Sequence, residues 1–326
     1  MGGGVFGTEE ALRRKGSVPS RRGGGGGISN FERDPVSRRF LKTLLREFAF
    51  RPSRRLGQNF LCDRRIRDTF VERAAVDGEF VLEIGPGLGA LTRRLVEKAD
   101  SVVGVEKSRH LLAPLKFVLE GQRRFHLIEK DVLALKREEI AGWGEPVVVG
   151  NLPYSVTTPI LFRFLEEELP WKRLVVTVQE EVGKRILARP GRSTYGALTI
   201  AVRLRAEVRK ILSIPPSAFY PVPEVRSTVL EITPLERRWR RSGTEEILKK
   251  IFSRRRKTFR NAVSGIEGGD AAMEKAGINP TLRPEEIDIE RYRRFLGFVL
   301  SEGSSWRRRE SPGSERAESR IKSAEI

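Results

Sequence analysis

The stretch Phe80-Val-Leu-Glu-Ile-Gly-Pro-Gly-Leu-Gly89 decides the fold. Phe80, Val81, Leu82 and Ile84 form a nearly continuous apolar run, the pattern of a strand buried on both faces of a parallel sheet. Three glycines follow within five positions, and the spacing predicts a helix from Ala90 to about Lys98. A strand, a glycine turn and a helix open a βαβ unit, in which bare backbone and a helix N-terminus can approach a ligand closely. The third glycine falls one residue early for the dinucleotide fingerprint G-x-G-x-x-G, so the loop alone does not identify the ligand.

Outward from this unit the alternation continues. Strands are predicted at Ser101 to Glu106, Phe125 to Asp131, Pro146 to Leu152, Leu174 to Val178, about 205–213, and Ser227 to Thr233. With helices between them these make a doubly wound, mainly parallel α/β sheet of seven strands. Pro234 closes that pattern. Beyond it Ile247, Leu248, Ile251, Phe252, Phe259, Ala262 and Val263, then Ile289 to Leu300, recur at helical spacing and predict a small all-α domain over 236–300. Upstream, Phe40, Leu41, Leu44, Leu45 and Phe48 predict an amphipathic helix, and Asp63 is placed to cap a second helix carrying Ile66, Phe70, Val71 and Ala74. The expected organisation is a disordered Gly/Arg-rich extension at 1–30, a sheet domain with a helical lead-in at 31–235, the helical domain, and a disordered charged tail at 301–326.

The chain has 326 residues, 62 Lys and Arg against 43 Asp and Glu, and a formal charge of +19. Such an excess points to a polyanionic partner, nucleic acid before anionic membrane. No apolar run reaches the length of a membrane span, so no membrane association is expected. One cysteine, Cys62, and two histidines, His110 and His126, exclude a disulfide framework and a Cys/His zinc site, and no metal is expected. Cysteine poverty and the lack of a secretory segment lead to a cytoplasmic expectation.

Two acids end predicted strands at the positions where a nucleoside-bearing cofactor is held. Glu106 lies about twenty residues beyond the glycines, where an acid accepts from ribose hydroxyls, and Asp131 can accept from an exocyclic amine. Each acid alone reads equally well as a solvated strand end. The next strand runs into Val149-Gly-Asn-Leu-Pro-Tyr154. Pro153 locks its own φ and biases Leu152 away from the helical region, so the corner is rigid. An amide and an aromatic ring on a rigid strand-end corner suit a planar, amine-bearing base; the same residues also make an ordinary turn. Hydride transfer would call for a proton relay, for which histidine is nearly absent. Methyl transfer to an aromatic amine needs instead acceptors that hold the amino group and aim its lone pair at a methyl sulfonium. Asn151 and the Leu152 carbonyl can do this, with Tyr154 stacking on the ring.

At this point a resemblance becomes visible. Leu56-Gly-Gln-Asn-Phe-Leu61, Glu83-Ile-Gly-Pro-Gly-Leu-Gly-Ala-Leu-Thr92, Asn151-Leu-Pro-Tyr-Ser-Val-Thr-Thr-Pro159, Phe219-Tyr-Pro-Val-Pro-Glu-Val-Arg-Ser227 and Arg255-Arg-Lys-Thr-Phe-Arg-Asn261 together resemble the small-subunit ribosomal RNA adenine N6,N6-dimethyltransferase family. The likeness runs in order from about residue 54 to 298. It implies a Rossmann-like S-adenosylmethionine-dependent methyltransferase sheet with a small C-terminal all-α domain. It also implies dimethylation of two adjacent adenosines in a hairpin near the 3′ end of small-subunit (16S) rRNA.

By the same resemblance Asn59 and Leu61 contact the methionine end of S-adenosyl-L-methionine, Gly85 its backbone-facing side, Glu106 its ribose and Asp131 its adenine. Asn151 sits between the cofactor and the target amine and contacts both; with Leu152, Pro153 and Tyr154 it grips the target adenine, which the family flips out of its stack, and Phe219 closes the opposite face. Arg254, Arg255, Arg256, Lys257 and Arg260 form a cationic patch on a helix that tracks phosphates. The expected partners are small-subunit rRNA and the pre-assembled small ribosomal subunit, met by a monomer. Ser155 stands where the bacterial family often has asparagine, which implies tuning of the corner.

Competing readings are an RNA-binding assembly factor with a degenerate cofactor site, a large-subunit methyltransferase of the macrolide-resistance type, and a nicotinamide-dependent dehydrogenase. The intact Glu106, Asp131 and Asn151-to-Tyr154 set argues against the first. The Gly-Pro-Gly-Leu-Gly loop and the Arg-Arg-Lys-Thr segment favour the small-subunit branch over the second, and the third rests on the glycine loop alone.

Overall fold

A computed structural model describes residues 34–53, 57–166, 168–236 and 239–301. The expected extension at 1–30, and the expected tail from residue 302 on, lie outside the described residues, as does Leu56. The lead-in consists of α1 (Arg38–Glu47), β1 (Phe60–Leu61) and α2 (Arg64–Ala74). Then come β2 (Phe80–Ile84), α3 (Thr92–Lys98), β3 (Ser101–Glu106), α4 (Arg109–Val118), β4 (Phe125–Glu129), β5 (Val147–Asn151), α5 (Thr157–Leu165) and β6 (Arg173–Gln179). The second half of the sheet adds α6 (Glu180–Ile186), α7 (Ala197–Arg203), β7 (Ala206–Ile214), β8 (Phe219–Tyr220) and β9 (Ser227–Pro234). Four helices follow: α8 (Thr244–Ser253), α9 (Phe259–Val263), α10 (Gly269–Lys275) and α11 (Ile289–Val299).

All seven expected strands enter one sheet, in the order β4-β3-β2-β5-β6-β9-β7. The first five are parallel, and β9 runs antiparallel between β6 and β7. The chain therefore winds one way from β2 to β4 and the other way from β5, leaving a crevice outside the carboxyl ends of β2 and β5. Side-chain alternation divides the core. Leu82, Ile84, Val103, Val148 and Val176 pack under Ile160, Leu161 and Phe164 of α5. Val81, Val102, Val149 and Val175 face Phe70 and Val71 of α2 and Leu95 of α3. Strands buried on both faces explain why their sequences read as unbroken apolar runs.

The four C-terminal helices build a core from Ile247, Ile251, Phe259, Tyr292, Phe295 and Leu296. That core also takes in Tyr195 and, from α7, Ile200. The buried hydroxyls of Tyr195 and Tyr292 donate to the carbonyls of Ile287 and Pro284 at 2.7 and 2.9 Å, so neither is orphaned. No helix among the described residues is long and apolar enough to cross a membrane.

The lead-in is fastened by charge. Asp34 and Arg67 are 5% and 6% exposed, and Arg67 Nη1 donates to both Asp34 oxygens at 2.8 and 2.9 Å. Arg64 adds a third contact to Asp34 at 2.9 Å. This bond and the packing of Leu41, Leu44 and Leu45 against Leu111 and Leu115 seat α1 beside the sheet. From there Arg38 donates to the carbonyls of Ser217 and Phe219. Losing Asp34 takes from the buried Arg67 guanidinium two of its three carboxylate contacts and leaves only Nε to Asp68 at 2.8 Å. Asp34→Ala is therefore expected to lower stability by about 3 kcal/mol in urea unfolding; a loss no larger than that of an exposed ion pair would contradict the clamp.

Candidate active site

The glycine loop leaves β2 with Gly85 at φ +64° and Gly87 at φ +60°, a region open to glycine and strained for other residues. A Cβ on Gly87 would also stand 3.4 Å from the Phe60 ring, so β1 and the loop meet through the missing side chain. The Gly87 N–H donates to Glu106 Oε2 at 3.1 Å, and the Ser108 N–H to Glu106 Oε1 at 2.8 Å. Burial raises the Glu106 pKa above the ordinary carboxylate value, against the pull of the Ser108 and Gly87 amides. Glu106 thus braces the loop, and each oxygen keeps a lone pair for a ligand.

Asp131 lies beyond the end of its strand, because β4 stops at Glu129. It caps a short 3-10 turn instead, accepting from the Leu133 N–H at 2.9 Å and from Lys107 Nζ at 2.7 Å. Burial pushes its pKa up, but the Lys107 ammonium and the Leu133 amide outweigh this and hold it below the ordinary value.

The corner after β5 gathers residues far apart in sequence. Asn151 is the last residue of the strand, and its Nδ2 donates to the Asn59 carbonyl at 3.0 Å. Because a carbonyl only accepts, this bond fixes the orientation of the amide and turns Oδ1 away as a free acceptor. Asn59 immediately precedes β1, which pairs antiparallel with β8 so that Phe60 faces Tyr220 and Leu61 faces Phe219. The Cys62 N–H extends the pairing to the Ala218 carbonyl at 2.7 Å. Gln58 is spent on its own turn, accepting from the Ser53 N–H at 2.9 Å.

Pro153 adopts φ −59° and ψ 133°, the rigid corner expected of it, and Leu152 is buried beneath. Tyr154 is half-buried, and its hydroxyl meets Ser227 Oγ at 2.8 Å. Burial raises the Tyr154 pKa in spite of that bond, so the phenol stays neutral and serves no base chemistry near pH 7. Phe219, expected to close the far face of a base, is 1% exposed and packs with Leu61, Ile214 and Val229. As it stands its ring anchors the β8 strap and offers no open face. Leu61 is likewise buried, so any ligand contact it makes comes from its backbone.

The basic patch needs a correction: it does not lie on one helix. α8 ends at Ser253, residues 254–256 turn, and α9 starts at Phe259. Five cations close in sequence are thereby presented on a corner. Arg254 donates to the carbonyls of Asn261 and Ser264, at 3.2 and 2.9 Å, and closes the end of α9. Arg255 donates to the Ser193 carbonyl at 3.1 Å and pairs with Glu285 at 3.7 Å. Arg256, Lys257 and Arg260 are exposed.

Sequence reasoning passed over Glu83, although a lone acid inside an apolar strand was the signal. It is 2% exposed, in the middle of the sheet between Gly104 and Val149. Burial pushes its pKa up to about 8, the neighbouring Glu106 adds to the rise, and Thr92 opposes it. Ser227, the partner of Tyr154, was missed because serine in a strand carries no distinguishing pattern. No group of three or more His, Cys, Asp or Glu side chains among the described residues is arranged to hold a metal.

Comparison with known proteins gives consistent results. The family profile described as "Ribosomal RNA adenine dimethylase" matches residues 49–298. Ribosomal RNA small subunit methyltransferase A of Alkaliphilus oremlandii is 39% identical over 259 residues, 77% of this chain and 89% of that protein. Its counterpart in Clostridium acetobutylicum is 38% identical over 261 residues, 77% of this chain and 95% of that protein. Among solved structures, a dimethyladenosine transferase from Plasmodium falciparum superposes with a TM-score of 0.62 at 23% identity, covering 73% of this chain and 96% of that one. The 23S rRNA methyltransferase ErmE superposes at 0.57 with 22% identity, covering 74% and 99%. These two establish the methyltransferase fold.

The buried Glu83 has a measurable consequence. An unfolded glutamate loses its proton near pH 4.5, the folded one near pH 8. Between those values only the unfolded chain has released it, so rising pH favours unfolding across that window and no further above it. Glu83→Gln is expected to gain on the parent protein, by on the order of 4 kcal/mol, as pH rises from 5 to 8. Urea midpoints across pH would measure this; a constant offset between the two proteins would refute it.

Proposed function

The chain belongs to the ribosomal RNA adenine dimethylase family, and from that membership we propose that it methylates N6 of two adjacent adenosines in a hairpin near the 3′ end of small-subunit (16S) rRNA. The inferred substrate is the pre-assembled small subunit in the cytoplasm, and the methyl donor is S-adenosyl-L-methionine. The residues at hand fit that donor. Left-handed glycines open the backbone at the end of β2, Glu106 ends β3, and Asp131 stands beyond the end of β4. Gly85 would face the donor, Glu106 would accept from its ribose hydroxyls, Asp131 from its adenine amine, and Asn59 and Leu61 would border its methionine end. The donor supplies an electrophilic methyl on a sulfonium.

The observation that carries the reading is the bond from Asn151 Nδ2 to the Asn59 carbonyl. It leaves Asn151 Oδ1 as an acceptor for the target amine beside the Leu152 carbonyl. Two acceptors on an aromatic NH2 draw its lone pair out of ring conjugation and orient it for attack. Adenine N6 carries no charge before transfer, so no strong base is called for, in keeping with the neutral Tyr154. Tyr154 offers the ring on which the extruded adenine stacks, offsetting part of the cost of flipping. The corner at Arg254 to Arg260 holds the duplex by its phosphates.

Asn151→Ala should reduce methyl transfer to small-subunit particles at least a hundredfold, the scale of losing a positioned transition-state partner. RNA affinity in a filter-binding assay should stay within about twofold; turnover near that of the parent protein would refute the role of Asn151. The basic corner separates by contact. Arg256→Ala with Lys257→Ala is expected to weaken RNA binding and to shallow its log–log salt slope by about 1.4 to 1.8, with thermal stability unchanged. Arg254→Ala should lower stability as well, since that side chain closes the end of α9. An identical stability loss in both variants would remove the distinction.

A further inference from the structure

One cavity lies outside the site described above. It measures about 280 Å³ and is lined by Lys184, Lys210, Thr194 and Thr228 over a floor of Gly183 and Leu187. Its position is set by two sequence neighbours. Thr228 directly follows Ser227, whose hydroxyl holds Tyr154, and Thr194 directly follows Ser193, whose carbonyl accepts from Arg255. The hollow therefore neighbours the Tyr154 and Arg255 contacts along the chain, and it opens on the sheet face that carries α6, because Thr228 points to the opposite face from Ser227. It is on the opposite side of β5 from the glycine loop, because β6 and β9 separate β7 from that strand.

Its chemistry is mixed in a specific way. Lys210 projects from edge strand β7 with no ion pair among the described residues. Lys184 meets Glu180, which also borders the hollow, at 3.5 Å with the spacing of neighbouring helical turns. Such an exposed pair is weak and yields readily to a stronger anion. The two threonines add hydroxyl donors. Gly183 is what lets α6 approach: a Cβ there would stand 3.2 Å from Thr228 Cβ. Two ammonium groups suit a phosphate, while the Glu180 carboxylate repels a bare anion and accepts from a hydroxyl. A ribonucleotide presents both groups at once, a phosphate and a 2′-hydroxyl donor. The volume admits a single nucleotide and excludes a duplex.

Resting on the RNA-methyltransferase reading above, we propose that this hollow seats one nucleotide of the substrate strand, flanking the extruded adenosine. Its phosphate lies on Lys184 and Lys210 and its 2′-hydroxyl on Glu180. The duplex is thus held at the basic corner and the strand beside the target at this seat. Lys184 and Lys210 are positioning residues and touch no reacting atom.

The test uses the full chain, small-subunit particles as the RNA substrate for methyl transfer, and a synthetic RNA hairpin with two adjacent loop adenosines for the binding measurements. Lys184→Ala/Lys210→Ala should raise the KM for RNA about tenfold, the scale of one charge-assisted contact. Its kcat should stay within about twofold, the Kd for S-adenosylmethionine should be unchanged, and the salt slope of RNA binding should be shallower. Lys172→Ala, which removes a lysine at the opposite end of the sheet, should change none of these. A hairpin with one methylphosphonate beside the target adenosine should bind the parent protein about tenfold more weakly and the double variant no more weakly than unmodified RNA. An unchanged KM and slope, or a methylphosphonate penalty that persists in the double variant, would overturn the proposal. Failure of the parent protein to methylate any hairpin or small-subunit particle would instead refute the underlying reading, and the binding measurements would still decide whether the hollow takes RNA.

Discussion

Strands β2 and β5 approach each other through a position where no side chain fits. A Cβ on Gly150 would stand 3.0 Å from both the Ile84 carbonyl oxygen and Leu152 Cδ2. That gap lets two parallel strands end side by side where the winding of the sheet reverses, and their following loops diverge over the crevice. The glycine loop takes one wall and the Asn151 corner the other. The remaining parts of the site are laid onto this pair: β1 lies across Gly87 through the Phe60 ring, and β8 is held to β1 by backbone pairing. A chain of contacts thus leads from the buried Asp34–Arg67 ion pair, through α1 and Arg38, to the strap that carries Phe219.

Three carboxylates around the crevice are kept in three different states. Glu83 sits where water does not reach and holds its proton up to about pH 8. Glu106, a strand away, is also raised by burial, yet two backbone amides hold its oxygens in place. Asp131, at the rim, is lowered by the ammonium of Lys107, supplied by the loop that follows β3. The gradient runs from a neutral interior to an ionised edge. It sets hydrogen-bond acceptors along the crevice without crowding several charges into one pocket.

Positive charge is distributed by similar logic. Two of the five clustered cations are spent on the structure: Arg254 on the end of α9, and Arg255 on the loop at Ser193. The second contact ties the C-terminal helices to the segment that precedes α7, and α7 itself contributes to their core. Exposed Arg256, Lys257 and Arg260 are thereby held in a set relation to the segment that precedes α7.

The sequence by itself determined the seven strands, the glycine loop, the helical C-terminal segment and the Asn151-to-Tyr154 corner. Each of these is a local matter of apolar period, missing side chains or fixed φ, and those signals lie within a few residues. Only the tertiary structure decided what the polar groups do. Two-residue strands such as β1 and β8 carry no period, so nothing in the sequence foretold that Asn59 would meet Asn151 across 92 positions. The burial of Phe219 and the protonation of Glu83 are likewise properties of neighbours brought from other strands. Arg254 to Lys257 turned from a helical face into a corner because α8 ends at Ser253, with Arg254 bound to the end of the next helix. Local pattern sets where elements form; desolvation and hydrogen-bond partnership depend on which elements meet, and that is settled only when the sheet closes over its core.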